Sequence, residues 1–193
     1  MMVLNVNRWY NMSNILIVSA LHQEIPKIDG GLENYPILFT GVCKVNATYE
    51  LTKVLLRDNY DLVINYGTAA SKVYDGLVDC TMFIQRDMNA TPLGFEIGET
   101  PFEPKSSLID FSHIKNPIGL NAFCYTGDSF VTDIKDMDVV DMEAYALAKV
   151  CRNFGIDFVS YKYISDDGNA DDWEKNCSKG IEEFKNVIKR VST

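Results

Sequence analysis

Phe158-Val159-Ser160-Tyr161-Lys162-Tyr163-Ile164-Ser165-Asp166-Asp167-Gly168-Asn169 changes character part-way along. Its first seven residues are mostly aromatic or β-branched, which predicts a strand. Ser165, Asp166, Asp167, Gly168 and Asn169 are turn formers and predict its abrupt end. In an open α/β sheet, ligands bind just beyond the carboxyl ends of strands. Asp166 is thereby a candidate acid at the mouth of a cleft. On this stretch alone, capping the following helix is the plainer role for Asp166 or Asp167; the rest of the chain changes that balance.

Working outward, the same pattern recurs upstream. Asn14 to Ser19 is a near-continuous apolar run, as expected of a strand buried on both faces. Tyr35 to Thr40 reads as a second strand, broken at Gly41, with a helix entered at about Lys44. Val45, Leu51, Val54 and Leu55 would form the buried face of that helix. Asp61 to Tyr66 is another buried strand, closed by Gly67, Thr68, Ala69 and Ala70. Strand, helix, strand is the βαβ pattern and predicts parallel pairing. Leu77 to Gln85 and Ala122 to Tyr125 read as strands, and Arg86 to Pro117 as irregular, interrupted by six prolines and glycines. Asp138 to Val140 leads into a helix from about Met142 to Asn153. A final helix is predicted from Asp171 to Val191, with Ile181, Phe184, Val187 and Ile188 as its buried stripe. Residues 1–13 read as an N-terminal extension and 14–193 as one domain.

The 193 residues suffice for one substantial core. A net charge of −9 argues against nucleic acid or an anionic membrane as the main partner. It does not argue against a nucleoside, which carries no phosphate. No apolar run is long enough to span a bilayer. Five scattered cysteines read as reduced thiols of a cytoplasmic protein. With two histidines in the chain, no metal-ligand cluster or cofactor is expected.

Four carboxylates, Glu24, Asp128, Glu143 and Asp166, fall where strands end. Each has a structural alternative as a cap, an Asx-turn or a helix-dipole partner. Taken singly, each reads more readily as structural; their recurrence at strand ends strengthens the case for a shared cleft. The ordered motifs around them are Ala20-Leu21-His22-Gln23-Glu24, Gly41-Val42-Cys43-Lys44-Val45-Asn46-Ala47 and Val63-Ile64-Asn65-Tyr66-Gly67-Thr68-Ala69. Arg86-Asp87-Met88-Asn89-Ala90-Thr91, Gly94-Phe95-Glu96-Ile97-Gly98 and Thr126-Gly127-Asp128-Ser129-Phe130-Val131 follow, then Val140-Asp141-Met142-Glu143-Ala144 and Ile164-Ser165-Asp166. In this order and spacing the chain resembles the methylthioadenosine/S-adenosylhomocysteine nucleosidases, within the nucleoside phosphorylase superfamily. The match runs from about Asn14 to Asp166. Cys43 and Ala70 stand where the family usually has glycine, Lys162 where an arginine near the sugar is typical, and Asp141 where it has glutamate. The stretch from Pro101 to Thr126 is shorter than usual.

The resemblance implies a three-layer α/β/α sandwich on a central mixed β-sheet, a purine nucleoside of adenosine type as substrate, and a homodimer. It puts Glu24 on the base that activates water and Thr68 on a position that helps hold that water. It puts Glu143 on the acceptor of the ribose hydroxyls, with Met142 beneath the sugar. Asp166 falls on the acid that assists the departing purine, with Ser165 orienting it. Phe130 falls on the residue stacked on the base, and the Val131 backbone on the groups reading its edge. These residue types suit N-glycosidic cleavage, which builds positive charge on the ribose and negative charge on the purine. Burial beside an aromatic, or Asp167, would raise the Asp166 pKa enough to keep its proton. The alternatives are a purine nucleoside phosphorylase and a nucleoside binder without turnover. Phosphorolysis needs cations for the phosphate. Ala20 to Glu24 supplies none, and Arg86 is the one nearby arginine that could.

Overall fold

Ile15–Ser19 (β1) is buried at every position, and its side chains divide between two cores. Leu16 and Val18 face one apolar cluster, Ile15 and Ile17 the other. A strand can do this only at the centre of a layered structure, which is why its sequence is apolar throughout rather than alternating. The computed structural model describes residues 14–103 and 107–191. The N-terminal extension expected over 1–13 lies outside the described residues.

The remaining strands are Ile37–Phe39 (β2), Leu62–Ala70 (β3), Leu77–Gln85 (β4), Ile109–Asp110 (β5), Ala122–Thr126 (β6), Val139–Asp141 (β7) and Asp157–Asp166 (β8). β1 pairs in parallel with β2 and β3, as the βαβ pattern predicts. β8 lies parallel to β3 and antiparallel to β4, so the sheet is mixed. Parallel pairing continues from β4 to β6 and from β6 to β7. β7 then returns to β3 through the antiparallel pair Ala70–Val140. That contact closes β3, β8, β4, β6 and β7 into a ring. Strand ends that an open sheet would place on opposite edges meet there.

Helices Lys44–Leu55 (α1) and Ala144–Phe154 (α2) pack on one side and Ile181–Val191 (α4) on the other, giving three layers. The buried face of α1 is Ala47, Leu51 and Leu55; Val45, expected inside, is 71% exposed. It lies two residues before Ala47 and so points to a different side of the helix. The stripe Ile181, Phe184, Val187 and Ile188 is buried as expected.

The single final helix expected from Asp171 is two. Ala170–Asn176 (α3) ends at Cys177, and α4 starts at Ile181. Gly180 sits so close to the Tyr163 ring that a Cβ there would lie 2.2 Å from it. The chain turns where only glycine fits, and the turn frees α3 to lie over the ends of β3 and β8. α2 also begins later than expected, at Ala144, because the Asp141 carboxylate accepts the N–H groups of Glu143 and Ala144. Met142 is therefore outside the helix. The irregular stretch after Arg86 contains one short strand, β5, paired with β4. No helix among the described residues is long and apolar enough to cross a membrane.

Candidate active site

Beyond the end of β1 the chain turns back so that Glu24, 4% exposed, reaches the middle of β3. Four donors converge on it. Ser19 Oγ (2.9 Å) and Leu21 N (3.1 Å) donate to Oε2; Thr68 N (2.7 Å) and Thr68 Oγ1 (2.9 Å) donate to Oε1. Gly67 makes this approach possible, since a Cβ there would lie 3.1 Å from Oε1. Both oxygens of the carboxylate are held in fixed positions on a cleft wall.

Asp166 stands on the same cleft at the end of β8. The β3–β8 register runs Ala69 to Ile164 and then Ala70 to Asp166, so Ser165 is an extra residue. Such a bulge re-aims the side chains that follow it. Here it puts Asp166 opposite Ala70, in the place Ser165 would otherwise take. The Ser165 hydroxyl donates to Asp166 Oδ2 (2.8 Å) and the Gly168 N–H to Oδ1 (2.9 Å). Burial raises the Asp166 pKa; these hydrogen bonds oppose the rise and the Asp167 charge adds to it. The direction is the one expected for an acid that keeps its proton.

Glu143 follows β7 and accepts the N–H of Cys43 on Oε1 at 2.8 Å. Cys43 has φ +87° and ψ 159°, a region that costs a non-glycine residue about 1–3 kcal/mol. Glycine at this position would avoid the cost. The strained peptide aims its N–H at the carboxylate. Burial, with the Asp141 charge behind it, pushes the Glu143 pKa up to about 8, against a partial opposing effect of Lys162 and the Cys43 N–H. Lys162 is buried and does not reach the cleft; its Nζ pairs with Asp141 Oδ2 at 2.8 Å. Burial would raise the Asp141 pKa, but Lys162 and the hydrogen bonds outweigh it and hold it low.

The raised Glu143 pKa has a measurable consequence. Between its ordinary value of 4.5 and about 8, the folded protein holds a proton that the unfolded chain has released. Wild-type stability therefore falls as pH rises through that window. Glu143→Gln has no such proton. From pH 6 to pH 9 its unfolding free energy is expected to gain on wild type by on the order of 2 kcal/mol. Urea unfolding at both pH values reads this directly, and a difference that does not change with pH would contradict it.

The cleft has a volume of about 240 Å³. Glu24, Thr68, Phe130, Val131, Met142, Glu143 and Asp166 all line it, as do Ala69, Ala70 and Asp141. Phe130 stands on the rim, 47% exposed. Ser165 sits behind Asp166, not on the cleft surface. Asp128, grouped with these carboxylates from its sequence position, is elsewhere. It accepts the N–H of Lys44 at the start of α1 (2.8 Å) and lies 3.7 Å from the Lys44 ammonium. Arg86 donates to the carbonyls of Gly127 and Ser129 and to the Ser129 hydroxyl, holding the turn before Phe130. Among the described residues no lysine or arginine lines the cleft. One lining residue had no place in the sequence reading: Trp173 on α3, whose indole N–H donates to Thr68 Oγ1 at 3.0 Å. The available signal was an aromatic in an otherwise charged segment, Asp171-Asp172-Trp173-Glu174-Lys175.

The 5'-methylthioadenosine/S-adenosylhomocysteine nucleosidase of Anoxybacillus flavithermus is 31% identical over 163 residues, covering 72% of this chain and 69% of its own. The chain belongs to that nucleosidase family. The Phosphorylase superfamily model matches residues 118–193. Two solved structures of the family share the fold. The Helicobacter pylori nucleosidase, complexed with a substituted pyrrolidin-3-ol, superposes with a TM-score of 0.77 at 18% identity, covering 93% of this chain and 97% of that one. The Colwellia psychrerythraea nucleosidase, in complex with adenine, gives 0.76 at 19% identity, with 94% and 97% covered. The three-layer mixed-sheet architecture expected from the family is the one observed.

Proposed function

We propose that this chain hydrolyses the N-glycosidic bond of an adenosine-type nucleoside, with 5'-methylthioadenosine or S-adenosylhomocysteine as the type of substrate. Water held beside Glu24 and Thr68 gives a proton to the Glu24 carboxylate and attacks the anomeric carbon. The glycosidic electron pair leaves with the purine, and Asp166 supplies the proton that the purine nitrogen takes up. Glu143 accepts hydrogen bonds from the ribose hydroxyls, Met142 packs beneath the sugar, and Phe130 and the Val131 backbone hold the base. Ser165 orients Asp166 from behind.

The observation that carries hydrolysis over phosphorolysis is the charge of the cleft: carboxylates line it and, among the described residues, no lysine or arginine does. At about 4 Å, two like unit charges repel by roughly 4 kcal/mol at an effective dielectric of 20. Phosphate would meet Glu24 with no counter-charge. Arg86, the one arginine that could have supplied it, donates instead to the Gly127 and Ser129 carbonyls in the turn before Phe130. The test is a panel of purine nucleosides with and without phosphate. The expected product is free ribose sugar at a rate independent of phosphate. Sugar 1-phosphate, or a rate proportional to phosphate, would overturn this reading.

The homodimer implied by the family is supported by the outer face of α1. Val45, Tyr49 and Leu56 are 71%, 61% and 73% exposed there. They border a groove shared with Tyr145, Ala146 and Val150 of α2. Sedimentation velocity reads the oligomeric state. A cytoplasmic location is supported by the five free cysteines, which suit a reducing compartment.

A further inference from the structure

Trp173 has no task in the mechanism proposed above, yet it is tied to the residue that has the first one. Its indole N–H donates to Thr68 Oγ1 at 3.0 Å, and that same oxygen lies 2.9 Å from Glu24 Oε1. An indole N–H only donates, and a hydroxyl has one hydrogen to give. With Trp173 filling a lone pair of Thr68, the Thr68 hydrogen is left for the carboxylate. The Thr68 N–H fixes the same Oε1 from the backbone at 2.7 Å.

The helix that carries Trp173 is anchored at the acid. Asn169 caps α3 by accepting the Asp171 N–H at 2.9 Å. At the other end of α3, Asn176 Nδ2 donates to the Ser165 carbonyl at 2.7 Å. Between Asp166 and that helix, the Gly168 N–H holds Asp166 Oδ1 at 2.9 Å. One short segment, 167–176, therefore contacts the acid at its start and the base, through Thr68, in its middle.

We propose that Trp173 is a positioning residue for hydrolysis. Its indole N–H holds the Thr68 hydroxyl in the orientation that donates to Glu24, and so fixes the carboxylate oxygen that faces the attacking water. The inference rests on the nucleosidase reading above. Trp173 acts on turnover through Thr68; as part of the cleft wall it also offers an apolar surface, which phenylalanine preserves.

A double-mutant cycle separates these two roles. Kinetics of methylthioadenosine cleavage are measured for wild type, Trp173→Phe, Thr68→Val and the double variant. A single hydrogen bond of this kind predicts that Trp173→Phe lowers kcat about 3- to 10-fold, with KM within about 2-fold of wild type. In the Thr68→Val background the same substitution has no hydroxyl to release, so its effect on kcat should fall to within about 2-fold. In a Thr68→Ser background, which keeps the hydroxyl, the full loss should return. An equal loss of kcat in all three backgrounds, or a change confined to KM, overturns the positioning role while leaving the nucleosidase reading intact. Absence of cleavage by wild type overturns both.

Discussion

Asp166→Asn is expected to keep the fold and bind nucleoside while losing kcat by about 10²- to 10⁴-fold, the usual worth of general acid catalysis. The purine leaves with the glycosidic electron pair, and an amide in place of the carboxylic acid has no proton of suitable acidity for it. Asp166 is suited to hold that proton because burial raises its pKa. The substitution is nearly isosteric. One side-chain oxygen remains available to the Gly168 N–H, and the Ser165 hydroxyl can rotate to accept from the new amide. Wild-type and mutant rates in single-turnover assays, with binding measured by calorimetry, check the expectation. A variant within a few-fold of wild type would remove Asp166 from the mechanism.

Glu24→Gln should lower kcat by at least about 10²-fold, since the attacking water loses its base. It should also carry a structural cost. Each carboxylate oxygen accepts one backbone N–H, from Leu21 on one side and Thr68 on the other. A glutamine amide has one acceptor oxygen. Whichever way it turns, its NH₂ faces a backbone donor that cannot rotate away. A buried donor left unsatisfied costs about 1–3 kcal/mol. The variant is therefore expected to bind nucleoside, cleave it very slowly and unfold at lower denaturant concentration than wild type. Asp166→Asn should not show this destabilisation, which makes it the better trap for a bound substrate. Phosphate should restore activity to neither variant. If it restores Glu24→Gln, the water-activating role fails.

Much of the architecture was legible along the chain. Leu77–Gln85 matches its sequence reading at both ends, and β1, α1 and the stripe of α4 lie where periodicity placed them. Local signals sufficed because burial on both faces demands continuous apolar strands and burial on one face demands helical spacing. Val45 shows the limit. An apolar residue near a stripe reads as part of it, and only packing determines that it is exposed. The final helix shows another, since the glycine that splits it does so because of the ring of Tyr163, 17 residues away in sequence.

For the site, the chain order of strand ends named Glu24, Glu143 and Asp166 but grouped Asp128 with them. No one-dimensional pattern distinguishes a strand-end carboxylate that enters a cleft from one that caps a neighbouring helix. Tertiary structure decided it. The Ala70–Val140 pair closes the sheet and brings β7 to the end of β3, and the bulge at Ser165 aims Asp166 into the same cleft. Cys43 adopts a costly backbone conformation and points its N–H at Glu143. Trp173 reaches Thr68 only because α3 breaks from α4. By itself the sequence determined which residue types face the core and which carboxylates end strands, since hydrophobic periodicity and turn chemistry are local. Which of those groups share one cleft depends on contacts between residues up to about a hundred positions apart, as between Cys43 and Glu143, and those exist only once the sheet has closed.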